Sequence, residues 1–185
     1  MRVIAGTARG VPLQYPGNDA RPTSDRVRES VFGILSPIVR GARVLDLFAG
    51  SGALGIEALS RGASGADFVE QNAKACRLIG GNLAKTRLQG NVCQREVFAW
   101  LKEGGKSGGY DLILADPPYA KQPDDRDFAA ELLAAESLAA ISAPDAFLVL
   151  ETGRRTAKNE ASFWEQRDSR AYGSTVVTFY QRAGG

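Results

Sequence analysis

The chain has 185 residues, 44% of them apolar and 24% charged, with a net charge of +2; this suits one α/β domain with a full core and leaves no room for a large second one. It contains no histidine, so Ser-His and Cys-His catalytic pairs and the common histidine-based metal sites are excluded. Its two cysteines, Cys76 and Cys93, form no CxxC and signal neither a disulfide framework nor zinc, so buried free thiols are expected.

Residues 1–28 hold five arginines (2, 9, 21, 26 and 28) against two aspartates (19 and 25), which makes this arm the candidate for phosphate contact. Val3-Ile4-Ala5 and Val11-Pro12-Leu13, separated by Gly6 and Gly10, predict a small hairpin with Pro12 on an edge. Arg21-Pro22-Thr23-Ser24 reads as the start of a helix capped by Thr23 or Ser24, which carries Val27, Val31, Ile34, Leu35 and Ile38 on one face and ends near Pro37. Arg26 and Arg28 are expected to point away from that stripe, toward solvent, a cofactor carboxylate or RNA. The first residues, Met1 to Gly6, are too short an apolar stretch for a secretory signal, and no run of 18 apolar residues exists. A cytoplasmic protein is expected.

Val44-Leu45-Asp46-Leu47 is a β-friendly run that passes into the turn Gly50-Ser51-Gly52-Ala53-Leu54-Gly55, and Ile56-Glu57-Ala58-Leu59 then repeats at helical spacing. Ala66 to Glu70 is a second buried strand ending in an acid, followed by a helix through Ala75, Leu78, Ile79 and Leu83. Asn91 to Gln94 is a weak third strand, and Val97 to Leu101 a helix. After the glycine-rich loop 104–109 a strong strand, Tyr110 to Ala115, runs into Asp116-Pro117-Pro118-Tyr119. A long Ala/Leu-rich helix is expected over about 128–140, then a strand from Ala146 to Glu151, a polar helical stretch, and a strand from Thr175 to Tyr180 after the turn at Gly173. Strands alternating with helices predict a mostly parallel sheet covered on both faces. The chain divides into an arm and helix, 1–40, for RNA or cofactor contact, and a main domain, 41–185.

Two stretches carry chemistry. The glycine turn is a complete GxGxxG, and Glu70 lies twenty residues past its first glycine, at the end of the next strand, where a carboxylate can accept hydrogen bonds from ribose hydroxyls. An adenosine-bearing cofactor is implied. Asp46 sits before the turn, where it would repel a pyrophosphate but suit the amino group and sulfonium of S-adenosylmethionine. In Asp116-Pro117-Pro118-Tyr119 two prolines remove two donors and fix the main chain. Asp116 and the Pro117 carbonyl can then accept from both N–H groups of an exocyclic amine while Tyr119 stacks on the base, a contact worth roughly 1–3 kcal/mol. The two stretches meet if the strand order reverses between the strands ending at Asp46 and Asp116.

Asp46-Leu-Phe-Ala-Gly-Ser-Gly52 and Asp116-Pro-Pro-Tyr119 resemble the cofactor and amino-methylation motifs of Rossmann-like methyltransferases. Arg21-Pro-Thr-Ser-Asp-Arg-Val-Arg-Glu29 and Ala53-Leu-Gly-Ile-Glu-Ala-Leu-Ser-Arg61 are similar to the RsmD family in particular. That resemblance implies a doubly wound seven-stranded sheet and methylation of the 2-amino group of a guanine in 16S rRNA, within the small ribosomal subunit or an assembly intermediate, by a monomer without metal or membrane. It places Asp46, Phe48, Gly50, Ser51 and Gly52 around the methionine part of S-adenosylmethionine, Glu70 at the ribose, Glu96 and Val97 at the adenine, and Asp116, Pro117 and Tyr119 at the base. Arg21, Arg26 and Arg28 fall to RNA. Glu96 departs from the usual Asp or Asn, and Gln71 from a usual acid. A DNA amino-methyltransferase acting on a flipped adenine or cytosine would use the same chemistry, and an NAD-binding oxidoreductase would use GxGxxG and Glu70 but leave Asp116 to Tyr119 idle.

Overall fold

The computed structural model describes residues 1–15, 25–104, 109–120, 122, 124–153 and 162–184. Seven strands form one sheet: β1 (Arg43–Leu47), β2 (Gly65–Glu70), β3 (Asn91–Gln94), β4 (Tyr110–Ala115), β5 (Ser142–Gly153), β6 (Trp164–Tyr172) and β7 (Thr175–Arg182). Their order across the sheet is β3-β2-β1-β4-β5-β7-β6. β3 to β5 pair in parallel across that order, and β7 runs antiparallel between β5 and β6. The order reverses between β1 and β4, the arrangement in which ligands bind beyond the carboxyl ends of the strands.

Buried parallel strands are apolar on both faces, and β1 and β4 follow that rule. Val44, Leu112, Leu114 and Val149 face one core with Val177 and Phe179 of β7. Against them pack α1 (Asp25–Ile34), α2 (Ser36–Val39), α3 (Ala53–Ser60) and α4 (Ala73–Thr86) through Phe32, Val39, Ile56 and Ile79, together with Val3, Ala8 and Leu13 of the N-terminal segment. Leu45, Leu47, Ile113, Leu148 and Leu150 face the other core, under α5 (Val97–Lys102), α6 (Phe128–Ala134) and α7 (Glu136–Ile141). No described helix is long and apolar enough to cross a membrane.

The predicted strands from β1 to β4 lie within a residue or so of the observed ones. The hairpin at the N-terminus is a single antiparallel bridge, Arg2 to Pro12, supported by hydrogen bonds from Val3 N to Val11 O (3.0 Å) and Leu13 N to Met1 O (3.1 Å). Its turn at Gly6, with φ of +84°, is pressed so closely on α3 that a Cβ there would collide with the Ser60 carbonyl.

Five expectations are corrected. The first helix is two: α1 ends at Ile34, which is exposed and not on the apolar face, and α2 runs through Pro37 to Val39. Arg28 does not point to solvent: it is fully buried, because it lies four residues before Phe32 and seven before Leu35 on the same helical face. Its guanidinium donates to the Arg2 carbonyl (2.6 Å) and the Asp25 carboxylate (2.7 Å). The expected helix 128–140 is two helices broken at Ala135, whose ψ is 103°. An unbroken helix would carry Glu136 and Ser137 onto the stripe of Leu132 and Leu133; the break turns Leu138 and Ile141 inward instead. Where a polar helical stretch is expected before Gly173, residues 164–172 are a strand; Trp164 is buried while Glu165, Arg167 and Arg170 are exposed, as suits a sheet edge guarded by charge. The cysteines are free but half-buried, not buried. Arg21 and the cap at Thr23 or Ser24 lie outside the described residues, as do 105–108 of the glycine-rich loop.

Candidate active site

The site begins at Asp46, the last acid of β1. Its carboxylate is buried and accepts the Gly55 N–H at 2.8 Å, across the glycine turn to the first turn of α3. Burial pushes this carboxyl up to about 8; the Gly55 N–H opposes the shift and the Glu70 charge adds to it. Gly50 and Gly52 have φ of +55° and +74°, the left-handed region where side chains are costly. At Gly52 a Cβ would lie 3.1 Å from Ile79, and at Gly55 2.4 Å from the Phe68 ring. Phe48, with φ of +56°, is one of two non-glycine residues in that region among those described.

Glu70 ends β2 and binds the same turn from the other side: one carboxylate oxygen accepts the Gly50 N–H (2.9 Å), the other the Asn72 N–H (2.7 Å). A carboxylate has room for about four hydrogen bonds, so two engaged backbone donors leave acceptor capacity for ribose hydroxyls. Glu96 is the cap of α5, accepting from Ala99 N at 2.8 Å, and Val97 is buried behind it. In front stand Phe48, Phe98 and Phe128, with ring centroids 5.6 to 6.4 Å apart. Arg126 lies over Phe98 and Phe128, 4.7 and 4.6 Å from their centroids, and its guanidinium reaches Glu131 (2.7 Å) and Glu96 (3.7 Å).

Asp116 follows β4 directly. Asp46 pairs with Leu114 and Leu114 with Val149, so alternation puts Asp46, Asp116 and Glu151 on one face at the carboxyl ends of three adjacent strands. Burial, then the Glu151 and Asp46 charges, hold the Asp116 carboxyl well above the ordinary carboxylate range. Pro117 is buried and Tyr119 half-buried. The Tyr119 hydroxyl donates to Glu151 Oε1 at 2.7 Å and lies 3.4 Å from the Thr175 hydroxyl, and its ring lies against Gly153, where a Cβ would be 3.3 Å away. Burial raises the phenol pKa, so it stays a donor.

The structure thus gathers Asp46, Phe48, Gly50, Ser51, Gly52 and Glu70 at one turn, Glu96 and Val97 on its flank, and Asp116, Pro117 and Tyr119 beside it. Arg26 is exposed on α1, while Arg28 serves the interior. Three contributors are missing from the sequence reading. Asn82, fully buried on α4, donates to the Ser51 carbonyl (2.9 Å) and exchanges hydrogen bonds with the Gln14 backbone (2.8 Å each), tying the turn to the N-terminal segment. Arg126 left no motif to find. Glu151 did: it is an acid closing a buried strand, as at Asp46 and Glu70.

Strand order, glycine turn and acid-ended strands together define a Rossmann-like fold of the S-adenosylmethionine-dependent methyltransferases. The solved structure of yhhF from Escherichia coli matches with a TM-score of 0.84 at 31% identity, covering 100% of this chain and 99% of that one. YlbH of Bacillus subtilis (strain 168) is 42% identical over 129 residues, 66% of this chain and 68% of that protein. Ribosomal RNA small subunit methyltransferase D of Escherichia coli (strain K12) is 40% identical over 124 residues, 65% of this chain and 61% of that protein. Residues 1–181 match the family described as Conserved hypothetical protein 95. The chain belongs to that family, the RsmD family.

Proposed function

We propose that the protein transfers a methyl group from S-adenosylmethionine to the exocyclic 2-amino group of a guanine in small-subunit rRNA. The observation that carries this is the placement of Asp46 and Asp116 on one face of adjacent parallel strands at the reversal of strand order. One acid stands at a glycine turn fit for the cofactor, the other opens Asp116-Pro117-Pro118-Tyr119, fit for an aromatic amine. Neighbouring strands lie ~4.8 Å apart, so a methyl donor at Asp46 and an amine at Asp116 would lie side by side.

In this reading Asp46, Phe48, Gly50, Ser51 and Gly52 surround the methionine part of the cofactor, Glu70 the ribose, and Glu96 and Val97 the adenine. Asp116 and the Pro117 carbonyl accept from the acceptor N–H groups, which localises the nitrogen lone pair toward the methyl group, while Tyr119 stacks on the base. Held at the glycine turn, S-adenosylmethionine would supply the activated methyl, its carbon–sulfur bond breaking to leave a neutral thioether as the nitrogen–carbon bond forms. The nitrogen sheds one proton, which Asp116 is placed to take. The cofactor already carries the activation, so positioning and charge complementarity supply most of the catalysis. Residues 1–40 act as the RNA-facing arm on the transferase unit 41–185, with Arg21 and Arg26 at phosphates and Arg28 holding the arm's own backbone. The relatives named ribosomal RNA small subunit methyltransferase D support an rRNA substrate; the guanine, and the subunit or assembly intermediate where a cytoplasmic monomer would meet it, are what the resemblance to the RsmD family implies.

The test is transfer of labelled methyl from S-adenosylmethionine to unmodified small subunits, naked rRNA and DNA in parallel, followed by digestion and identification of the nucleoside. Two-methylguanosine from RNA is the expected product. Label in DNA alone, or none despite cofactor binding, would overturn the rRNA assignment.

A further inference from the structure

Guanine is the one standard base whose exocyclic amine sits beside a ring N–H. Adenine and cytosine place an unprotonated ring nitrogen there, which is an acceptor. A site selective for guanine therefore needs a second acceptor next to the one that holds the amine, and a site for adenine needs a donor.

β5 supplies that acceptor. Ala115 pairs with Leu150 in parallel register, so the residues that follow, Asp116 and Glu151, leave neighbouring strands at one level and on one face. Glu151 is also fixed laterally: its Oε1 accepts the Tyr119 hydroxyl at 2.7 Å, and Thr175 of β7 lies 3.4 Å from that hydroxyl. The Tyr119 ring lies on Gly153 because no side chain stands between them. A base stacked on that ring consequently has the Glu151 carboxylate at its edge, one strand along from Asp116. Two carboxylates so placed repel each other; after burial, the Glu151 charge is the next cause that holds the Asp116 carboxyl above its ordinary range. Adjacent donors on one ligand edge relieve that repulsion at both.

We propose that Glu151 is the residue that selects guanine, by accepting the ring N1–H while Asp116 and the Pro117 carbonyl accept from the 2-amino group. Tyr119 has two duties on this account: its face carries the base and its hydroxyl aims Glu151. The inference rests on the guanine reading above and adds the group that enforces it.

The test uses small subunits reconstituted with rRNA carrying, at the position where two-methylguanosine is first mapped, either guanine or 2-aminopurine. The latter keeps the 2-amino group but has a bare ring nitrogen in place of N1–H. Wild-type protein should methylate the guanine particle roughly ten- to a hundredfold faster, the range for losing a hydrogen bond to a charged group. Glu151→Gln keeps the shape and can offer an amide N–H to the bare nitrogen, so the guanine rate should fall and the preference collapse toward unity, with S-adenosylhomocysteine affinity unchanged. Glu151→Asp should keep the preference at a lower rate, which separates selection from folding. Equal wild-type rates on the two particles, or a Glu151→Gln variant that loses both rates equally, would overturn the proposal. Wild-type protein that binds S-adenosylhomocysteine yet methylates neither particle overturns the guanine reading itself, and the role of Glu151 with it.

Discussion

Asp46 is an acid whose folded environment favours its neutral form. The folded state holds a proton that the unfolded chain releases near the ordinary value of 3.8, so stability without ligand should fall as pH rises from about 4 to about 8 and level off above that. On the proposed placement of S-adenosylmethionine, its ammonium and sulfonium would reverse the preference. Affinity for S-adenosylmethionine should therefore climb with pH up to about 8, by as much as about tenfold per unit, and Asp46→Asn should flatten the profile; calorimetry at three pH values between 6 and 8 decides it, and a flat wild-type profile refutes it. Asp116→Ala should cut transfer roughly a hundredfold or more by releasing the acceptor while cofactor affinity stays within a few-fold; an equal loss of both would move Asp116 into the cofactor pocket. At this scale the acids were legible because each closes a strand and precedes a turn. Arg28 was not, since a charged residue on an apolar stripe reads as a surface residue until the backbone carbonyl it serves is seen.

At the scale of elements, the glycine turn is shaped by what presses on it. Gly55 lies at an ordinary helical φ, yet a Cβ there would sit 2.4 Å from Phe68 and 3.0 Å from Asp46 Oδ2. Gly55→Ala should cost about 1–3 kcal/mol of stability by overpacking, seen as a lower urea midpoint, and should weaken cofactor binding by shifting Asp46. A midpoint equal to wild type would show that Phe68 yields freely. From β1 to β4 the order of strands and helices was readable from alternation and glycine punctuation; before β1, the split of the first helix at Leu35 was not. Beyond β4, reading failed for two physical reasons. The break at Ala135 has neither proline nor glycine to mark it and is imposed by the phase of Leu132, Leu133, Leu138 and Ile141 on the core. β6 is a charged edge strand that takes its conformation from pairing with β7, not from its own composition.

Across the whole molecule, the described N-terminal residues share one core and one set of polar ties with the sheet and its helices. Glu57 is fully buried on α3 and accepts from Ile4 N (2.7 Å), Ala5 N (3.0 Å) and Arg61 Nε (2.6 Å). Glu57→Ala leaves three donors without an acceptor and should cost about 3 kcal/mol or more, with faster amide exchange at Ile4 and Ala5; unchanged exchange there would show that the arm is held by packing alone. If the arm faces RNA, binding should weaken steeply with salt, and Arg26→Ala should lower the slope of log affinity against log salt by about one phosphate's worth; an unaltered slope would take Arg26 off the interface.

The ties that fix the arm also set a schedule. Ile4 waits for a partner 53 residues further on, and Gln14 for Asn82, 68 further on. On a ribosome adding about 5–20 residues per second, the basic segment is synthesised several seconds before its anchors exist. During that interval it is a loose cationic strand beside the RNA-rich machine that makes it.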